Sequence, residues 1–129
     1  MHQSLRILVT TTFRPRPDLN AGERRLFALL ELLAHKHQVS FCLARAVPLP
    51  EADVQALADA LSAIGVRFLG QGWERLGRTL LVNWYDVGLF YHFSQAEQLM
   101  QGFKERQPLA RTIVDSVDVL GKEIFNARN

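Results

Sequence analysis

The sequence predicts a doubly wound α/β domain: five parallel strands in the order 3-2-1-4-5, with helices on both faces. Three observations predict it. Five short apolar runs are separated by four stretches whose apolar residues recur at helical spacing. Strands alternating with helices imply a parallel sheet covered on both sides. Right-handed crossovers then leave 3-2-1-4-5 as the simplest order. No internal repeat or low-complexity linker interrupts the pattern, so residues 1–129 read as one Rossmann-like domain.

The first run, Leu5 to Thr11, reads as a buried strand, and Thr12 to Ala21 as a loop rich in arginine and proline. Gly22 to about His35 follows as a helix with Leu26, Leu29, Leu30 and Leu33 on one stripe and Phe27 beside it. Asn20 and Glu23 have capping-box spacing, which sets the helix start. Val39 to Ala44 is the second strand. Pro50 suits the first turn of the next helix, which repeats Val54, Leu57, Ala58, Leu61 and Ile64 before the stop at Gly65.

Val66 to Leu69 is a third strand and Gly70-Gln71-Gly72 a loop. Trp73 to about Asn83 forms a helix presenting Trp73, Leu76, Leu80 and Leu81. Tyr85-Asp86 introduces a fourth strand, Val87 to Tyr91. A second capping box, Ser94 with Glu97, opens a helix carrying Ala96, Leu99, Met100 and Phe103. Thr112 to Asp115 is the fifth strand, and Val119 to Ala127 begins another helix.

Composition excludes several functions. At 48% hydrophobic and 22% charged, the chain can bury a core of ordinary size. A net charge of +2 without basic runs argues against nucleic acid as a partner. No segment approaches the roughly 20 apolar residues of a membrane span, and Met1 to Ser4 leads directly into strand residues without room for a signal peptide. Cys42, the single cysteine, sits in an apolar strand and fits an inert thiol in a reducing compartment, so a cytoplasmic protein is expected.

In a sheet of this order, ligands bind beyond the carboxyl ends of strands one and four. The loop after strand one would bring Arg14, Arg16, Asn20 and the amides of Ala21 and Gly22 there, offering cations and a helix N-terminus to an anion. His92, after strand four, is the candidate catalytic or substrate-contacting group because imidazole transfers protons near neutral pH. An ordinary surface loop and a surface histidine are the competing readings. Gly22 alone does not make a dinucleotide fingerprint, Walker A is absent, and Thr10-Thr11-Thr12 stands where a phospho-receiver needs carboxylates. His2, His35 and His37 lack metal-site spacing; no metal or cofactor is expected. Asp115 and Asp118 read as caps for the following helix, with a metal-binding or acid–base pair as the alternative; Arg45 reads as solvated, with an anion contact as the alternative; and Trp73 and Trp84 read as core or partner-contact residues.

Arg6 to Val9, Arg14 to Arg25, the Leu32 to Val39 stretch, Tyr85-Asp86-Val87 running to His92, and Ile113 to Asp118 together carry a family likeness. The chain resembles the N-terminal, acceptor-side Rossmann-like domain of GT-B-type glycosyltransferases. That resemblance implies half of a two-domain enzyme, with His92 near the reacting sugar and a nucleotide-sugar donor held mainly by an absent C-terminal domain. Two departures stand out: Asn20-Ala21-Gly22 replaces a glycine pair, and the donor-holding acidic motif lies outside the chain. The expectation is therefore a domain inactive alone, with an unknown acceptor and a tendency to dimerise. The alternative is a non-catalytic α/β module that binds an anion or a protein.

Overall fold

A computed structural model describes residues 4–11, 21–44, 48–91 and 93–114. Five parallel strands pair in the order β3-β2-β1-β4-β5. They are β1 (Arg6–Thr11), β2 (Gln38–Leu43), β3 (Arg67–Gln71), β4 (Val87–Phe90) and β5 (Arg111–Val114). Four helices connect them: α1 (Ala21–Ala34), α2 (Glu51–Ala63), α3 (Trp73–Val82) and α4 (Phe93–Arg106). The expected fold class, strand order and parallel pairing are those of the structure.

Alternating side chains divide the core between the two faces. Ile7 and Val9 pack with Leu26 and Leu30 of α1 and with Leu57 and Leu61 of α2. Leu8, pointing the other way, packs with Leu76 and Leu80 of α3 and with Phe103 of α4. Two helices thus cover each face, as a period of two along a doubly covered strand requires. Burying a leucine of this kind stabilises the fold by about 1.5–3 kcal/mol.

Helix α2 ends in a Schellman motif. Gly65 N–H donates to the Ser62 carbonyl and Val66 N–H to the Leu61 carbonyl, with Gly65 at φ 82°. Pro50 stands one position earlier than expected, as the N-cap whose carbonyl accepts the Val54 N–H. Strand β3 runs on through Gly70, at φ 120°, because a bulge opposite Phe41 and Cys42 absorbs one residue. Strand β5 begins one residue before its expected start and ends at Val114. Helix α4 starts at Phe93, so Ser94 lies inside it rather than before it. In α3, Leu76 and Leu80 face the sheet as expected, whereas Leu81 is exposed; the residue directly after a core position lies about 100° round the helix. The expected helix Val119–Ala127, with Asp115, Asp118 and Arg45, lies outside the described residues.

One close approach shapes the α4 face. A Cβ on Gly88 would lie 2.8 Å from the Phe103 ring, which packs edge-on against Phe90 with centroids 5.5 Å apart. Glycine lets α4 sit directly on β4.

Candidate functional site

The carboxyl ends of β1 and β4 are tied together by one backbone and one side-chain hydrogen bond. Tyr91 N–H donates to the Thr10 carbonyl at 3.1 Å, and Thr11 Oγ1 donates to the Tyr91 carbonyl at 3.0 Å. Ala21 and Gly22 form the first turn of α1, where amides have no partner within the helix. Arg14, Arg16, Asn20 and His92 lie outside the described residues, so the expected convergence of cations and imidazole has no geometry to report. What does meet here is Arg25 of α1 with Tyr91. Its guanidinium donates to the Tyr91 hydroxyl at 3.2 Å and lies over that ring, 5.6 Å from the centroid. The sequence placed Arg25 off the apolar stripe and within the stretch that carries the family likeness; its place one helical turn before Leu29, which packs against the core, is the signal that could have placed it beside the sheet.

Thr10 Oγ1 is buried and has no hydrogen-bond partner among the described residues. Cys42, also buried, has its thiol pushed up to about 12 by desolvation, against a small opposing pull from Arg75. Such a thiol is not a nucleophile at neutral pH. Among the described residues, no group of three or more His, Cys, Asp or Glu side chains comes together to hold a metal. His37 does structural work instead, its Nδ1 accepting the Leu5 N–H at 3.1 Å.

The opposite, amino-terminal rim of the sheet is built differently. Two grooves of about 490 Å³ each open there. One is lined by the end of α3 and the segments leading into β4 and β5, the other by Leu5, Asp86, Val87 and Arg111. Trp84, Tyr85 and Leu109 line both. Trp84 is 59% exposed and Leu109 99%, with Leu81 and Val82 exposed beside them. The Arg6 guanidinium lies over the Trp84 ring at 5.1 Å and the Tyr85 ring at 5.7 Å.

A buried glutamine holds this rim in shape. Gln107 Oε1 accepts the Tyr85 N–H at 3.0 Å, while its Nε2 donates to the carbonyls of Leu80 at 3.0 Å and Asn83 at 2.8 Å. Those carbonyls belong to the C-terminal end of α3, where the helix leaves acceptors unpaired. Asp86 locks the neighbouring edge: its Oδ2 accepts the Arg6 N–H at 2.8 Å, its own N–H donates to the Arg6 carbonyl, and its carbonyl accepts the Arg111 N–H. Burial, opposed by a hydrogen bond with Ser40 and by nearby arginines, raises the Tyr85 phenol above its ordinary value. Of the two expectations for Trp84, core or partner contact, its exposure rules out the first.

The fold and this rim define a class: a doubly wound α/β domain with an exposed aromatic and apolar cluster at the amino-terminal rim of its sheet, the end opposite the ligand crevice such sheets usually offer. No protein-family model matches the chain, and no curated protein matches it. Among solved structures, the crystal structure of eIF2B beta from Chaetomium thermophilum is similar, with a TM-score of 0.54 and 19% sequence identity. The match covers 88% of this chain and 36% of that one, and at this identity it shows the fold alone. These comparisons overturn the glycosyltransferase resemblance. That solved structure is not a glycosyltransferase, and neither family models nor curated proteins support that reading. The sequence motifs behind it, strand entries and helix exits, are features any doubly wound sheet repeats. No described helix is long and apolar enough to cross a membrane.

Proposed function

We propose that this chain is a non-catalytic α/β module that binds a protein partner through the amino-terminal rim of its sheet. The observation that carries the reading is the exposed cluster of Trp84, Leu109, Leu81 and Val82 around two grooves. Contiguous apolar surface of this kind marks contact sites on folded proteins, and tryptophan, tyrosine and arginine dominate the energetics of such contacts. The backbone around it is braced by Gln107 and Asp86, so a partner would meet a preformed surface and lose little entropy in ordering it.

Photo-crosslinking in the source cells tests this. A benzophenone amino acid at Leu109 should trap a discrete protein adduct that disappears when Trp84→Ala is added. The same group at Gln55, on the exposed side of α2, should trap none. Equal adducts from both positions, or an adduct indifferent to Trp84→Ala, would refute the reading.

A further inference from the structure

The charge of the rim narrows the partner. Three guanidinium groups border the two grooves: Arg6 over Trp84 and Tyr85, Arg106 beside Pro108, and Arg111 beside Leu109. Asp86 is the one carboxylate among the lining residues, and its Oδ2 already accepts the Arg6 amide. Arg111 has no carboxylate partner among the described residues, and Arg106 reaches a backbone carbonyl of its own helix, Gly102. The surface therefore offers aromatic and aliphatic anchoring inside an unbalanced cationic border.

We infer that the rim takes an acidic protein segment that carries bulky apolar side chains for the grooves and Asp or Glu residues for Arg6, Arg106 and Arg111. The inference rests on the interaction reading above and adds the chemistry of the partner. A second copy of this chain fits poorly. A two-fold contact through this face would set one cationic border against a second identical one, and like charges brought together in an interface oppose association. A lipid surface fits less well than a protein segment, because the apolar side chains line recesses and a bilayer is flat. Carboxylates facing guanidinium groups would form paired, charge-assisted hydrogen bonds that fix the segment's register, while the apolar anchors supply affinity.

Panning a random-peptide phage library against the full chain, followed by titration of the enriched synthetic peptides, tests this. A Trp73→Phe background isolates Trp84 emission. The enriched peptides should combine Asp or Glu with Leu, Phe, Ile or Trp. They should shift Trp84 emission to shorter wavelength and bind more weakly as sodium chloride is raised. Affinity should fall by about tenfold or more with Arg111→Glu, and with Leu109→Asp, whose fully exposed site leaves the fold intact. Peptides that bind at Trp84 but are neutral or basic, or whose affinity ignores salt, overturn the acidic partner and leave the interaction reading standing. Absence of any peptide binding at Trp84 overturns both. Binding to phosphatidylserine vesicles in place of peptides overturns the proposal. So does protection of Trp84 from acrylamide in the dilute chain alone, since the rim would then be covered by the chain itself.

Discussion

Replacing Gln107 by methionine keeps the length and shape of the side chain and removes all three of its hydrogen bonds. The Tyr85 N–H and the Leu80 carbonyl would be left buried without partners, and the Asn83 carbonyl half-buried. A buried group orphaned in this way costs about 1–3 kcal/mol. The thioether gains a little from apolar contact, so a net loss of about 3 kcal/mol is expected. A chain of this length unfolds with an entropy near 0.27 kcal/mol/K, so the melting temperature should drop by about 11 °C. Urea denaturation followed by circular dichroism should show a lower midpoint with an unchanged m-value. Gln107→Glu provides a control with a different signature. It keeps an acceptor for Tyr85 but turns a carboxylate toward two carbonyls, which raises its folded-state pKa above the unfolded value of about 4.3. Its stability is then highest at low pH and is lost as pH rises through the folded pKa. A Gln107→Met loss below about 1 kcal/mol, or a Gln107→Glu variant no more stable in acid than at neutral pH relative to wild type, would refute the bracing role.

Three further outcomes are expected. Gly88→Ala drives a methyl group against the buried Phe103 ring and should cost about 1–3 kcal/mol by chemical denaturation, part of it recovered when Phe103→Leu is added. Thr10→Val removes a buried hydroxyl that has no partner among the described residues, so unfolding free energy should hold or rise by about 1 kcal/mol; a measured loss would mean the hydroxyl is bonded. Cys42 should resist a thiol reagent at pH 8 until the chain unfolds. Because its folded pKa of about 12 exceeds the unfolded 9.0, the stability it contributes is complete below pH 9 and declines toward pH 12 by about 1.4 kcal/mol per unit, a slope that the Cys42→Ala difference curve isolates.

The architecture was legible because its signals are local and repeated. Leu26, Leu30, Leu57 and Leu61 recur at helical spacing, Gly65 stops a helix through a positive φ, and the apolar strands need cover on both sides. What escaped the sequence is pairing over long separation. Gln107 reads as a polar residue before Pro108, and nothing near it reveals that its amide closes the end of α3 and the start of β4, more than twenty residues earlier. Asp86 likewise reads as a strand entry, while its carboxylate reaches the Arg6 amide across 80 positions. The family resemblance drew on those same local signals, which report topology and carry no information about chemistry.

The location of the rim follows from the same geometry. In a parallel sheet every strand begins at one end, so the entries of β1, β4 and β5 meet there, and each entry must satisfy its first amide from outside the ladder. Asp86 does this for Arg6, and its main-chain carbonyl does so for Arg111. Having met those demands with one aspartate, the rim can leave its arginine side chains pointing at aromatic rings and solvent rather than at internal carboxylates. Helix α3 ends just before this entry, and capping its last carbonyls through Gln107 lets Leu81, Val82 and Trp84 remain outside the core without fraying the helix. Bracing and exposure are therefore one arrangement. Loosening Gln107 should weaken partner binding at Trp84 as well as the fold, whereas Gly88→Ala, acting at the buried contact between β4 and α4, should lower stability while affinity per folded molecule holds.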